Sequence, residues 1–409
     1  MSGLSHSPCS YPLQGNMYKF CALQQMCAME LTEVREGATS VLVPVQDATS
    51  QFPPGTVPIF FNRKMELNRD ATVLLLPLLE PSDYLDAMGA TGIRGLRVAK
   101  ECGVPVTICD REPAATLLIT QNRYHTGLPV TVIERDVNAL LSEQSFDAVD
   151  LDPFGTPAMF IDAAVRGCRR FLFVTATDTA PLCGAHLKAG IRRYGAVPMN
   201  TEYHSEVGLR ILLGFVVRET VKYDRGIEPL FCYAREHFTR LHLRLLRGAQ
   251  AADDTLKHMG YIHQCKKCPY RGEQPGLQAH DRTCPDCGEP LQPIGPLWLG
   301  SIRSEDTVTR MLETAPAREL GTKKDLLQLL ETCRSELPTS SFYDYHHIAK
   351  RLRCSPPTID VVLERIRAAG YPASRTHFSG YGIKTEAPLE IIRNAVGPGK
   401  RIESVITGD

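Results

Sequence analysis

Between residues 83 and 175, short apolar runs alternate with amphipathic stretches in a steady rhythm. Strands are predicted at 84–88, 104–110, 130–134, 146–151 and 170–175, with helices at 96–100, 112–124, 139–142 and 161–166 between them. Such βα repetition predicts an α/β fold, a mostly parallel sheet with helices on both faces. Upstream, residues 40–45 and 57–61 are β-like pieces on either side of a polar, Pro-rich break at 51–55. Asp70 stands where it would cap a helix running into Leu79, whose end Pro77 should disturb. Downstream, Gly208 and Gly214 interrupt the apolar stretch 207–217, so a strand is at least as favourable there as a helix. At 238–245, Arg240, His242 and Arg244 alternate with Leu241, Leu243 and Leu245, which predicts a strand with one apolar and one basic face. Residues 249–298 turn polar and carry paired cysteines. Beyond 323 the pattern predicts helices at 325–333, 346–353 and 358–369, then β-like pieces at 373–378 and 381–385 around Ser379-Gly380, a winged-helix pattern.

A chain of 409 residues exceeds one ordinary core, so two or three domains are expected. Its 46 basic and 46 acidic side chains cancel, which excludes a protein whose whole body neutralises nucleic acid, though not one with a local basic face. Such a face is predicted between residues 347 and 384, where Lys350, Arg351, Arg353, Arg365, Arg367, Arg375 and Lys384 outnumber Asp360 and Glu364. No apolar run reaches the length of a membrane span and no secretory signal is legible, so a soluble cytoplasmic protein without membrane contact is expected. The first 28 residues read as a leader, with Met29 an alternative start to Met1.

The chemistry concentrates at the predicted strand ends. Asp86-Ala87-Met88-Gly89-Ala90-Thr91-Gly92-Ile93-Arg94-Gly95 follows the first strand, and glycines there let backbone approach a nucleotide-like cofactor. Gly89, Thr91 and Arg94 are candidate contacts within that loop. The glycine spacing differs from a dinucleotide fingerprint, and no phosphate-clamping Lys-Ser/Thr follows. Asp110, 24 residues after Asp86, can accept hydrogen bonds from ribose hydroxyls, and Asp136 can accept one from an adenine amine. Each acid can equally cap the helix that follows it. Arg69 can pair with a cofactor carboxylate, or form a surface ion pair with Asp70.

Asp150-Leu151-Asp152-Pro153-Phe154-Gly155 follows the fourth strand. Asp152 and the Pro153 carbonyl can hold the hydrogens of an exocyclic amine, while Phe154 stacks on its ring. Such a base must first leave its stack, and Phe60 or Phe61 can cover its second face. Cys265-Lys266-Lys267-Cys268 and Cys284-Pro285-Asp286-Cys287, 15 residues apart, have the spacing of one structural zinc held by four thiolates. Lys266, Lys267 and Arg271 would then be displayed on a rigid knob for RNA phosphates.

Taken together these residues resemble the tRNA (guanine-26 N2) dimethyltransferase family. The resemblance covers nearly everything from residue 57 to 388. It rests on Phe60-Phe61-Asn62 with Asn68-Arg69-Asp70, on the Asp86 and Asp150 loops, and on Thr376-His377-Phe378 with Gly382-Ile383-Lys384-Thr385 and Ala387-Pro388. It implies S-adenosylmethionine as donor, guanine 26 of tRNA as acceptor, and one then two methyl groups on N2. By the same resemblance Asp152 is the catalytic aspartate, Phe154 and Phe60 are the stacking aromatics, and Arg69, Asp86, Asp110 and Asp136 are cofactor contacts. The cysteine pairs occur in some members. A Rossmann-like methyltransferase domain is expected at 57–248 after a leader and extension at 1–56, then a zinc ribbon at 249–300 and a winged-helix-like tRNA-binding region at 301–409. No obligate protein partner is implied. An N2-guanine tRNA methyltransferase of other position specificity, or a noncatalytic RNA-binding protein on the same fold, are the alternatives.

Overall fold

The computed structural model of the chain describes residues 29–45 and 59–397. The predicted leader, the break at 51–55 and the last twelve residues lie outside them. A hairpin of β1 (Leu31–Glu36) and β2 (Thr39–Pro44) leads to helix α1 (Glu66–Leu79). Residues 59–61 of the second β-like piece are not a strand.

The expected rhythm then appears as β3 (Tyr84–Asp86), α2 (Ile93–Cys102), β4 (Val106–Asp110), α3 (Pro113–Thr126), β5 (Thr131–Glu134), α4 (Val137–Glu143), β6 (Phe146–Leu151), α5 (Ile161–Gly167) and β7 (Cys168–Ala176). After the short helices α6 (Thr179–Leu182) and α7 (Leu187–Tyr194) comes α8 (His204–Val221), followed by β8 (Arg225–Pro229), β9 (Tyr233–Arg235) and β10 (Phe238–Arg247). The sheet order is β5-β4-β3-β6-β7-β10-β8, with β9 added beside β10. Strands β3 to β7 are parallel and β10 runs antiparallel to both β7 and β8. Side chains alternate across the sheet. Along β7, Leu172 and Val174 enter the core under α5 and α8, while Phe171 and Phe173 enter the opposite core under α1.

Three local expectations are overturned. The stretch 207–217 lies within an 18-residue helix, α8. Its glycines mark close packing: a Cβ on Gly208 would stand 3.0 Å from the Cys183 sulfur, and one on Gly214 3.0 Å from the Leu297 backbone. Asp70 is no cap, because α1 begins at Glu66; buried within the helix, it pairs with Arg97 at 2.7 Å and accepts from the Thr322 amide and hydroxyl at 2.8 and 2.7 Å. Pro77 is tolerated in the last turn, since the Val73 carbonyl it cannot serve accepts from Arg318 at 3.3 Å and from the Cys102 thiol at 3.5 Å. The strand expected at 238–245 is present as β10; of its basic residues Arg240 and His242 are fully buried and Arg244 is half-exposed.

Helix α9 (Ala249–Leu256) leads to a second sheet of β11 (Met259–Cys265), β12 (Arg271–Pro275) and β13 (Leu291–Trp298), whose Met259, Ile262, Ile294 and Leu297 share the core under α8. Helices α10 (Glu305–Thr314) and α11 (Lys323–Ser335) return to the first domain, placing Val308, Met311, Leu326 and Leu330 against the α1 side of the sheet. The remaining residues build a unit with its own core: β14 (Tyr343–Asp344), α12 (Tyr345–Leu352), α13 (Ile359–Ala368), the hairpin β15 (Ala373–Thr376) and β16 (Ser379–Thr385), and α14 (Leu389–Val396). Among the described residues no helix is long and apolar enough to cross a membrane.

Candidate active site

The parallel strands all end at one edge of the sheet, where a cavity of about 590 Å³ opens. Asp86 pairs in register with Ile108 and Asp150, and Asp110 with Glu134, so the loops after β3, β4, β5 and β6 are brought side by side. The cavity is lined by Phe60, Arg69, Asp86, Gly89, Thr91, Arg94, Asp110, Asp136, Asp152, Pro153 and Phe154, which are all the candidate cofactor and catalytic residues read from the sequence.

Each acid is held by local backbone. Asp86 accepts from the Gly95 amide at 2.9 Å, and burial pushes its carboxyl up to about 7. Asp110 bridges two loops, accepting from the amides of Ala90 and Glu112, both at 2.9 Å. Asp136 does cap the helix after it, its Oδ1 accepting from Asn138 at 2.9 Å and Ala139 at 3.2 Å. Both capping bonds go to Oδ1, so helix capping and ligand contact are compatible there. The glycine loop lies hard against β4, since a Cβ on Gly89 would stand 2.4 Å from Ile108. Arg69 is neither free nor paired with Asp70. Its guanidinium donates to both Glu36 oxygens at 2.5 and 2.6 Å and to the Asn62 carbonyl at 3.0 Å, and it lies 5.4 Å from the Phe61 ring centre.

Asp152 stands at the rim, 19% exposed, with Oδ2 paired to Arg94. Beneath it lies a network that sequence reading missed. Buried Asp150 accepts from Arg240 at 2.6 and 2.8 Å and from the Tyr84 hydroxyl at 2.7 Å, with Arg94 3.5 Å away. Burial alone would raise the Asp150 carboxyl, yet Arg240 and Arg94 hold it well below the usual carboxylate range. Arg94 therefore spans from a permanently charged base plate to Asp152, and so fixes the loop. The signal that was available is Asp150 two residues before Asp152, with Arg240 on a strand predicted to alternate leucines and basic residues. Thr177 completes the turn: its hydroxyl accepts from the Gly155 amide at 2.8 Å, and its amide donates to the Gly155 carbonyl at 3.0 Å. Phe154 is 66% exposed, and its ring centre lies 6.0 Å from that of the buried Phe60 in edge-on contact.

Comparison with known proteins draws these features together. Residues 37–396 match the family model described as N2,N2-dimethylguanosine tRNA methyltransferase. The chain belongs to the N2,N2-dimethylguanosine tRNA methyltransferase family. It is 66% identical over 368 residues to the tRNA (guanine(26)-N(2))-dimethyltransferase of Methanoregula boonei, covering 90% of this chain and 98% of that protein. The corresponding protein of Methanosphaerula palustris is 58% identical, with 90% and 99% covered. The solved structure of Trm1 from Pyrococcus horikoshii in complex with S-adenosyl-L-methionine superposes with a TM-score of 0.81 at 37% identity, covering 90% of this chain and all of that one.

In this member of the N2,N2-dimethylguanosine tRNA methyltransferase family the four paired cysteines converge. Cys265 and Cys287 lie 3.5 Å apart, as do Cys268 and Cys284, and all four sulfurs fall within 4.8 Å of one another. A tetrahedron with metal–sulfur bonds of about 2.3 Å has edges of about 3.8 Å, so the set fits zinc. The amides of Lys267 and Cys268 point at the Cys265 sulfur, each at 3.4 Å, which favours its thiolate.

Two expected RNA-facing cations of this methyltransferase, Arg271 and Lys384, are instead internal. Arg271 is buried between the rings of Tyr203 and Tyr343, 4.3 and 4.1 Å from their centres, and pairs with Glu202. Lys384 is 1% exposed and donates to Glu206 at 2.7 Å, to the Thr339 carbonyl at 2.8 Å and to Glu336 at 3.1 Å. Arg365 and Arg367 each donate to backbone carbonyls yet remain exposed. Of the seven cations predicted between 347 and 384, Lys350, Arg351, Arg353, Arg365, Arg367 and Arg375 are exposed and only Lys384 is buried.

Proposed function

We propose that this chain methylates N2 of guanine 26 in tRNA twice, giving N2,N2-dimethylguanosine, with S-adenosylmethionine as donor. The observation that carries this reading is the meeting of Asp152, Phe154 and Phe60 at the mouth of a cavity walled by Asp86, Asp110 and Asp136. The residues present fit the donor: carboxylates at successive strand tips suit hydroxyl, amine and ammonium groups, and the cavity volume falls within the range of cofactor sites. When bound, S-adenosylmethionine supplies a methyl carbon made electrophilic by its sulfonium.

Asp110 would hold the ribose hydroxyls, Asp136 the adenine amine and Asp86 the ammonium of the methionine part, with Gly89 and Thr91 in the wall. Arg69 would serve a ligand carboxylate through the part of its guanidinium not committed to Glu36. The guanine enters from outside the sheet edge. Phe154, the exposed one of the two aromatics, stacks on the ring, with Phe60 on its other face. Asp152 Oδ1 and the Pro153 carbonyl accept the two N2 hydrogens. Both acceptors push lone-pair density toward the incoming carbon as positive charge grows on nitrogen. Asp152 then takes one proton for each methyl transferred and releases it to solvent. A cytoplasmic location, where tRNA is its substrate, goes with this reading.

The test is incubation of the purified chain with labelled S-adenosylmethionine and unmodified tRNA, followed by nucleoside analysis. Label should appear in N2-methylguanosine and then N2,N2-dimethylguanosine at position 26, and elemental analysis should find one zinc per chain. Cofactor and zinc bound without any N2-methylated guanine would establish the noncatalytic alternative instead.

The buried Asp86 gives a pH prediction. With its carboxyl at about 7 in the free protein, it is mostly neutral at pH 6 and mostly ionised at pH 8. Only the ionised form attracts an ammonium, so donor affinity should rise with pH through this range, weakening by about tenfold at pH 6. Calorimetric titration at both pH values checks it. Asp86→Asn should bind more weakly throughout and lose the pH dependence; a pH-independent affinity in the unaltered chain would remove Asp86 from the ammonium.

A further inference from the structure

Helix α7 presents cations and apolar side chains together on the surface. In eight residues it carries Lys188, Arg192 and Arg193 and no acid. Leu187 and Ile191, one turn apart on the same face, are 44% and 43% exposed. Some surface cations are neutralised, as Arg166 is by Asp162, Arg169 by Asp83 and Lys222 by Glu219. Lys188 and Arg192 have no carboxylate partner among the described residues. A solvated helix has no use for two bare aliphatic side chains between uncompensated cations, whereas a polyanion with stacked bases meets both needs.

The helix also sits beside the catalytic loop. Arg193 donates to Asp178 at 3.0 Å, the Tyr194 hydroxyl donates to the other Asp178 oxygen at 2.6 Å, and the same hydroxyl lies 2.8 Å from the hydroxyl of Thr156, which lines the cavity. Tyr194 is fully buried, so this chain of contacts is a fixed strut. On the cavity rim Met159 is 67% exposed.

We propose that the outer face of α7 docks on the tRNA next to the target guanine, with Leu187 and Ile191 filling the space the base leaves in its stack and Lys188 and Arg192 on flanking phosphates. The proposal rests on the reading that the chain acts on a base drawn out of folded RNA. Extrusion costs a few kcal/mol of stacking, and apolar wedges entering the gap recover part of it. Phosphate contacts add affinity that is independent of sequence and weakened by salt.

The experiment pairs Leu187→Ala/Ile191→Ala with Lys188→Ala/Arg192→Ala, all at exposed positions, in the full-length chain. The first variant should bind tRNA with little change by anisotropy. The rise in fluorescence of 2-aminopurine placed at position 26 should be largely lost, and kcat/KM should fall by about tenfold or more, the size expected when part of one unstacking step goes unrecovered. The second should raise KM for tRNA and flatten its dependence on salt by about one to two phosphate contacts, leaving kcat unchanged. Fluorescence and kcat/KM at wild-type levels in the first variant, or an unchanged salt slope in the second, would overturn the docking role. Absence of methylation by the unaltered chain would instead reject the underlying activity, so the two failures are separable.

Discussion

Asp152→Asn should lower turnover on tRNA by about 10³-fold, at the middle of the range for loss of a positioned proton acceptor, while donor affinity changes less than about threefold. Asparagine keeps the shape of the side chain and one oxygen for an amine hydrogen, but it can neither take the proton nor pair by charge with Arg94. Arg94 should stay in place, because Asp150 and Thr72 also receive its guanidinium, at 3.5 and 3.4 Å. The donor pocket, walled by Asp86, Asp110 and Asp136, is untouched. Single-turnover kinetics with tRNA and calorimetry with S-adenosylmethionine measure the two quantities separately. Turnover within tenfold of the unaltered chain would mean that Asp152 only orients the base.

The second large effect concerns stability. Lys384 joins Glu206 of α8 to Glu336 at the end of α11, and both acids are buried. The cluster extends to Arg210, 2.9 Å from Glu206, and to Thr376 and His377, each 2.6 Å from Glu336. Three segments far apart in sequence are thus held by charges without water to replace a lost partner. Lys384→Met keeps most of the volume but removes the cation shared by both buried acids, leaving Glu206 to Arg210, Glu336 to His377 and the Thr339 carbonyl short of one donor, which costs about 3–5 kcal/mol. At about 2–4 °C per kcal/mol the melting temperature should fall by about 10 °C. Lys350→Met, at an exposed site, should shift it by less than about 1 °C. Equal melting curves for the two variants would show that Lys384 adds nothing to the joint.

What could be read from the chain beforehand follows from range. The βα rhythm, the glycine loop, the Asp-Pro-Phe-Gly turn and the cysteine knuckles are local patterns, and the residues they named do line one cavity or one sulfur cluster. Asp70, Arg271 and Lys384 were misread, and the partner of Arg240 was missed, because a charged side chain in sequence carries no sign of whether it is solvated or paired across the fold. The partners of Lys384 lie 178 and 48 positions away, at Glu206 and Glu336, and Asp150 lies 90 from Arg240. Gly208 and Gly214 misled in a different way. Their helix cost is real, but it is outweighed by the close approach of α6 and β13 that their missing side chains allow. The Thr376-His377-Phe378 and Lys384 motifs were legible as family marks but not as parts of an ionic joint, which only the packing of α8 on the C-terminal unit shows.

The return of α10 and α11 to the α1 side of the sheet has a consequence for how the protein is made. Val308, Met311, Leu326 and Leu330 seal apolar surface that Leu74, Leu75 and Leu76 would otherwise present to water. Those seals leave the ribosome only after the whole cysteine ribbon has emerged. The nascent catalytic half must therefore wait, partly open, for some ninety residues beyond the last strand of its sheet, from Arg247 to Ser335. A shortened version ending after that strand would inherit the same open flank permanently, so the smallest self-sufficient methyltransferase in this chain has to carry the ribbon with it.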